Sequence, residues 1–220
     1  MAKSDGTTKD VVALTTTKAY FAPKTYNQSS DFTLARALNK FSYGEGEDIT
    51  SISSKIPIDL LPNTNTLTTL DFCFAGNTEI YGFYDTNTSQ DVKGTNFLTN
   101  SITSTSGIFA NCYDPNTNHG IGFNISADCQ PYLGLFQNKP NLVYINQSFA
   151  NCQSIFGSIP KNLFEESPKL YNMSKLFYNC ASLGINDGKT SISIPVDLFA
   201  SCRNRLYNIS FMFSGCGFSG

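Results

Sequence analysis

The chain is short of charge. Only 15% of its 220 residues are Asp, Glu, Lys or Arg and the net charge is −2, against about 25% charged in an average domain. Such a chain offers no basic footprint for nucleic acid. It has one histidine, His119, and no Cys-x-x-Cys spacing, which excludes the usual zinc ligand sets. No run of about eighteen apolar residues exists, so no membrane-spanning helix is expected. Gly-x-Gly-x-x-Gly, Walker and nucleophile-elbow patterns are all missing, and no cofactor is expected. The carboxylates Asp85, Asp91, Glu165 and Glu166 are scattered or merely adjacent. Two carboxylates facing each other across a cleft need a different arrangement. These absences leave no catalytic constellation, and the expectation is a protein that is not an enzyme.

What is present is a recurring phrase. Phe109-Ala-Asn-Cys112, Phe149-Ala-Asn-Cys152, Phe177-Tyr-Asn-Cys180 and Phe213-Ser-Gly-Cys216 are four copies, and Phe74-Ala-Gly-Asn77 is a degenerate fifth. Successive phenylalanines are 35, 40, 28 and 36 residues apart. The unit is longer than the phrase. One copy opens on Ile159-Pro160 and continues through Leu163-Phe164, Leu170, Met173, Leu176-Phe177 and Cys180. The next runs Ile194-Pro195, Leu198-Phe199, Leu206, Ile209, Met212-Phe213 and Cys216. From the Leu-Phe or Leu-Leu pair to the cysteine position is 17 residues in three copies and 18 in the last. Constant length within units and variable joints between them are expected when insertions fall in loops.

Units of this size cannot bury their own apolar face and must stack on their neighbours. The spacing predicts a short helical turn over residues 160–166, with Leu163 and Phe164 inward, and a short strand from Leu170 to Met173. Phe109, Cys112, Phe149, Cys152, Phe177, Cys180, Phe213 and Cys216 are expected to form a structural ladder. A small thiol suits a dry interior, and Asn suits a turn. Of eighteen Phe and eleven Tyr, many Phe fall at repeat positions and read as core.

The signature Ile-Pro-x-x-Leu-Phe, then Leu-x-x-Met-Ser-x-Leu/Met-Phe, then x-x-Cys, resembles the BspA-type leucine-rich repeats of bacterial surface proteins. Residues 159–216 match it closely and 56–152 more loosely. The opening half of the 97–112 copy is not recognisable, and residues 1–50 do not match. The resemblance implies an α/β, leucine-rich-repeat-like solenoid of about five irregular units over 51–220. It implies a surface recognition or adhesion role without naming a ligand.

Residues 1–50 read as a separate segment. Asp10–Thr17 is β-prone, Thr33–Phe41 has helix formers behind an Asp31 cap, and Gly44–Asp48 is a turn. This segment either caps the repeat or attaches it to an assembly. At the other end Phe213–Gly220 closes a repeat without a polar capping unit. The start, Met1-Ala-Lys-Ser-Asp-Gly, has no signal-peptide pattern. That favours a route outward such as assembly on a phage virion, in a fibre or tail-associated component contacting a host surface. The alternative is a bacterial cell-surface adhesin without its signal. Either reading places the protein on a virion or an extracellular surface. Its partners would be other chains of an assembly, or a host protein or glycan, with a homo-oligomer as a further possibility.

Seven cysteines, an odd number, argue against a complete disulfide framework. Cys129 and Cys202 lie off the repeat position and are the candidates for a disulfide or a reactive thiol. Six Asn-x-Ser sequences occur, at Asn27, Asn87, Asn124, Asn146, Asn172 and Asn208. Those at 146, 172 and 208 read as repeat grammar. The joints at 78–96 and 113–128 are rich in Tyr, Asn and Ser, a set that stacks on and hydrogen-bonds sugars or adaptable protein surfaces. Tyr81, Tyr84, Tyr113 and Asn118 are therefore the expected ligand contacts.

Overall fold

The computed structural model describes residues 11–15, 18–21, 32–33, 55–61, 67–85, 87–88, 90–186, 190–191 and 193–218. Its strands are short. They are β1 (Val11–Thr15), β2 (Lys18–Phe21), β3 (Phe32–Thr33), β4 (Lys55–Pro57), β5 (Leu67–Thr69), β6 (Gly82–Asp85), β7 (Gln90–Val92), β8 (Tyr113–Asp114), β9 (His119–Gly120), β10 (Ile185–Asn186) and β11 (Thr190–Ser191). Strand β3 pairs in parallel with β5, and β4 in parallel with β6. The pairs β1–β2, β6–β7, β8–β9 and β10–β11 are antiparallel.

The repeat copies meet through single parallel bridges rather than long strands. Thr69, Ser104, Tyr144, Asn172 and Asn208 bridge in succession. Each lies five residues before its ring phenylalanine. After the bridge, alternate amides take different directions. Those of Thr105, Gly107, Phe109 and Asn111 donate to the carbonyls of Tyr144, Asn146, Ser148 and Ala150 in the next copy. The intervening amides of Ile108, Ala110 and Cys112 donate back three residues, to Thr105, Gly107 and Phe109. The same four cross-copy bonds and three turn bonds recur at residues 145–152 and 173–180.

Backbone conformation makes this alternation possible. Two residues before each ring phenylalanine φ is positive: Phe72, Gly107, Gln147, Lys175 and Phe211, between 54° and 61°. Two residues after it φ is positive again: Gly76, Asn111, Asn151, Asn179 and Gly215, between 58° and 79°. A left-handed third position is what a type II turn requires. Gly and Asn tolerate it best, which accounts for Phe-x-Asn-Cys and Phe-x-Gly-Cys as interchangeable spellings. Gly107 has a second reason to lack a side chain, since a Cβ there would run into the Phe72 ring.

The inward rings stack. Phe74, Phe109, Phe149, Phe177 and Phe213 follow one another with centroids 5.3–5.8 Å apart and interplanar angles of 22° or less. Phe136, Phe164 and Phe199 form a second row at 6.3 and 6.0 Å. Phe136 meets Phe149 edge-on at 6.1 Å and so joins the rows. Thiols complete the junctions. Cys112, Cys152, Cys180 and Cys216 donate from Sγ to the carbonyls of Phe74, Phe109, Phe149 and Phe177, each at 2.9–3.0 Å. Ser167 does the same on the second row, Oγ to Phe136 O at 2.6 Å. Cys202 stands three residues after Phe199, as Ser167 stands after Phe164. It is buried at the same position, but its Sγ donates to Phe199 O of its own copy at 3.7 Å rather than across to the preceding copy. Cys129 is half-buried, with its Sγ 3.3 Å from Asp91 O. Both are thiols, not disulfide partners.

The expected α/β, leucine-rich-repeat-like solenoid needs correction. Among the described residues there is no α-helix, only one three-residue 3-10 turn at Ala127–Cys129, and the sheets hold two or three short strands. The helical turn expected over 160–166 is a chain of i to i+3 turns through Leu163, Glu165 and Ser167. Leu163 and Phe164 do face inward, fully buried. The strand expected from Leu170 to Met173 is a single bridge at Asn172. The physical reason is the recurring left-handed residue. A positive φ every few positions prevents the i to i+4 bonding of an α-helix, and turning back the intervening amides prevents long strands. Of the expected helix over Thr33–Phe41, Thr33 is in β3 and pairs with Thr69. The rest of that helix, the Asp31 cap and the 44–48 turn lie outside the described residues.

Two expectations follow. Phe177→Ala should cost about 3–5 kcal/mol, as for other fully buried aromatics, measured by urea denaturation. Stability should also fall at alkaline pH. Burial pushes the Cys112 thiol from an ordinary 9.0 up to about 12, and those of Cys152 and Cys180 well above 9.0. An unfolded thiol ionises first, so stability present below pH 9.0 is lost as the pH rises toward about 12. Flat stability across that interval would contradict the buried thiol ladder.

Candidate functional site

The joints after Cys112, Cys152 and Cys180 meet around one cleft. The first is a hairpin, β8 and β9, in which Tyr113 pairs with Gly120 and Asp114 with His119. Asp114 Oδ1 accepts from the Asn116 backbone and side-chain N–H at 2.9 and 3.0 Å, closing the turn. Asn118 takes φ 58°, and its Oδ1 accepts from the Tyr113 hydroxyl at 2.7 Å. Gly120 sits at φ 146°, where a Cβ would strike the Cys112 carbonyl. The second joint begins after Cys152. Ser154 Oγ donates to Asn118 O at 3.1 Å and ties the two joints together.

Between them lies an open cleft of about 350 Å³ lined by Tyr113, Asn118, Gly122, Phe123, Asn124, Gln153, Ser154, Phe156 and Ser182. These residues come from the joints after Cys112, Cys152 and Cys180, so three successive copies build one site. Buried side chains hold its floor. Gln130, with no exposed surface, donates from Nε2 to Gly122 O and Ile125 O at 3.3 and 3.0 Å. Its Oε1 accepts from the Phe156 N–H at 3.4 Å. The Tyr132 hydroxyl donates to Phe156 O and Ser158 O at 2.9 and 3.2 Å, and burial raises its pKa. The lining contains aromatic faces, amides and hydroxyls. It contains no carboxylate, imidazole, thiol or cation.

Two of the four expected contacts, Tyr113 and Asn118, meet in this cleft. Tyr81 lies beside it. Its hydroxyl is 3.2 Å from His119 Nδ1, and its ring packs edge-on against Phe123 at 5.3 Å. Burial, and then the nearby Glu79 carboxylate, raise the Tyr81 pKa. Tyr84 is a correction. It lies in β6 with 4% exposure, because β6 is the middle strand of β4-β6-β7. Its ring packs inside and does not reach a ligand. Phe123, Asn124, Gln153, Ser154, Phe156 and Ser182 are lining residues the sequence reading did not single out. The signal for them was positional, since all lie just after a Cys position or in the 113–128 joint.

The ladder residues stand elsewhere. Phe109, Phe149, Phe177, Cys112, Cys152 and Cys180 are buried, while Phe213 and Cys216 are half-buried. Asp91 pairs with Lys55 at 2.6 Å, and Asp85 caps a turn by accepting from the Asn87 N–H at 2.8 Å. Asn172 and Asn208 each accept a backbone N–H from the serine two residues on, at 3.0 Å. These are structural turns at equivalent positions. No group of three or more potential metal ligands occurs among the described residues. None of their helices is long and apolar enough to cross a membrane.

Compared with known proteins, the chain matches no family model, no curated protein and no solved structure. The reading of the site therefore rests on its geometry and chemistry.

Gln130→Ala should leave the amide of Phe156 and two carbonyls without partners in a buried setting. The expected loss is about 1–3 kcal/mol, read by denaturation. A loss under about 0.5 kcal/mol, below the usual worth of one hydrogen bond, would mean that Gln130 does not hold the floor.

Proposed function

We propose that the protein is a non-enzymatic recognition component of a virion or extracellular surface, and that the 113–182 cleft holds an uncharged, hydroxyl-rich ligand such as a surface glycan. The observation carrying this reading is the neutral lining, in which Tyr113, Phe123 and Phe156 supply ring faces among Asn, Gln and Ser. Aromatic faces stack on sugar rings, and amides and hydroxyls match a sugar's donor and acceptor pattern. The cleft is also shaped before any ligand arrives, through Gln130, Tyr132 and the Tyr113–Asn118 bond. A site already in its bound shape loses little entropy on binding.

Seven cysteines without a disulfide suit folding in a reducing compartment. That favours a phage virion component, assembled inside a cell, over a secreted adhesin, which stays the second reading. The resemblance of residues 159–216 to BspA-type surface repeats belongs to the same proposal and points to the same class of role.

The test is binding to an array of bacterial surface glycans, with a salt series. Gln153 and Ser182 line the cleft and make no side-chain hydrogen bond among the described residues, so Gln153→Ala and Ser182→Ala should leave the fold intact. Each should weaken binding by about tenfold, the equivalent of about 1.4 kcal/mol. Raising the salt should change affinity little, unlike phosphate recognition. Unchanged binding by both variants would move the site away from this cleft. Steep salt dependence would replace the neutral ligand with a charged one.

A further inference from the structure

The eleven-residue segments 141–151, 169–179 and 205–215 occupy equivalent positions, each ending two residues after its ring phenylalanine. None contains Asp or Glu, while Lys169, Lys175 and Arg205 fall within them. Residues 138–220 hold seven Lys and Arg against four Asp and Glu, in a chain that is −2 overall. Charge is therefore segregated along the sequence, and the later copies hold the positive share. Lys169, Lys175 and Arg205 are exposed. Unlike Lys55, which pairs with Asp91, none of them makes an ion pair among the described residues.

Tyrosines stand in the same strip. Tyr144, Tyr171 and Tyr178 are 43%, 38% and 36% exposed. Each has a copy stacked on both sides, so its exposure is sideways and independent of either end of the stack. Tyr171 meets Tyr144 edge-on at 6.4 Å and lies flat on Tyr207 at 5.0 Å. Ring faces are covered by neighbouring rings, which leaves edges and hydroxyls to solvent. The hydroxyls of Tyr144, Tyr171 and Tyr178 make no hydrogen bond among the described residues. Lys169 reaches across to the copy before it, Nζ donating to Asn141 Oδ1 at 2.7 Å. Lys175 Nζ lies 5.7 Å from the centre of the Tyr178 ring.

We propose that this strip binds a linear polysaccharide bearing carboxylate groups, at a site that shares no lining residue with the cleft. Ammonium and guanidinium groups donate and never accept, and phenol hydroxyls add further donors. No carboxylate stands in the three segments to repel an anion. A peptide fits less well. It would gain affinity by adding main-chain bonds to a free edge, and every amide from Leu170 to Asn179 is already engaged within the stack. Nucleic acid also fits less well, because its bases need open aromatic faces and those of Tyr171 and Tyr207 cover each other. Repetition favours a polymer over a single anion. Lys169 and Arg205 hold one repeat position and Tyr171 and Tyr207 another, so contacts recur from copy to copy as carboxylates recur along the sugar chain.

The test is calorimetric titration of the full chain with polygalacturonate, a linear polyuronate. Its fully methyl-esterified form keeps the sugar backbone, loses the charge and serves as the neutral probe. The acid form should bind, weaken as salt screens the surface charges, and exceed the ester in affinity by about tenfold or more. Lys169→Glu with Lys175→Glu should lower affinity for the acid form by about tenfold or more. Lys169→Arg with Lys175→Arg should retain it. Both side chains are exposed, so each variant should unfold in urea together with the parent chain. Lys93→Glu with Lys161→Glu makes the same charge change at exposed positions outside the three segments, and should lower affinity by less than about threefold. Binding of the acid form that is lost on reversal within the strip alone supports the proposal. Absence of binding, equal affinity for the ester, or equal losses from the two reversals overturns it. Polyglutamate or oligothymidylate binding as tightly as the polyuronate would make the partner an acidic peptide or a nucleic acid, and overturns it as well.

Discussion

A left-handed residue on either side of each ring phenylalanine is the constraint on which the rest depends. It bends the chain so that alternate amides point along the stack while their neighbours close local turns. The phenylalanine between them is then forced inward, over the ring of the copy before. The cysteine that follows is placed where its thiol can reach the preceding copy's carbonyl. Non-glycine residues at such angles carry strain of about 1–2 kcal/mol each. Four cross-copy hydrogen bonds, each worth about 0.5–1.5 kcal/mol net, together with ring burial, offset it at every junction. The strained positions survive because the surrounding contacts over-determine them.

The same constraint explains the composition. Asn is abundant because it tolerates the left-handed turn and because its side chain continues the ladder: Asn151 donates to Asn111 at 2.7 Å and Asn179 to Asn151 at 3.1 Å. Ser and Asp serve the bridge region in the same manner, as where Asp71 accepts from the Ser106 N–H at 2.8 Å. Charge is scarce because faces between copies are covered and would strand it. Lys139 is the exception. Its ammonium group donates to the carbonyls of Thr95 and Leu98, both at 2.9 Å, and burial lowers its pKa. Every buried side-chain nitrogen and oxygen among the described residues is satisfied.

How much of this was legible depended on whether a residue's role is periodic. The phenylalanine and cysteine positions were, since identity and spacing recur together, and their inward placement follows from stacking. The secondary structure was not. Residues 160–166 read as a helical turn because propensity cannot foresee that Glu166 takes φ 52°. Cys202 read as an outlier because its positional counterpart, Ser167, is a serine, so the residue type does not recur at that position. In the cleft, Tyr113 and Asn118 were legible from joint composition. Gln130 was not, because a glutamine in a loop has no sequence mark until its three partners are seen. Tyr84 misled because β6 is covered on both faces, with Gly82, Phe83 and Tyr84 all buried, so no alternation marks an exposed side.

The cross-copy amides are unequal in direction, and this has an electrical consequence. Along the ring segment of each junction four N–H groups point toward the later copy, while at the bridge two N–H groups of the later copy point back, as those of Tyr171 and Asn172 do onto the Val143 carbonyl. The peptide dipoles of the four add from copy to copy, as they do along a helix axis, and the two at the bridge offset them only in part. A molecule whose side chains sum to only −2 thus carries a polarity along its stack that comes from the backbone alone.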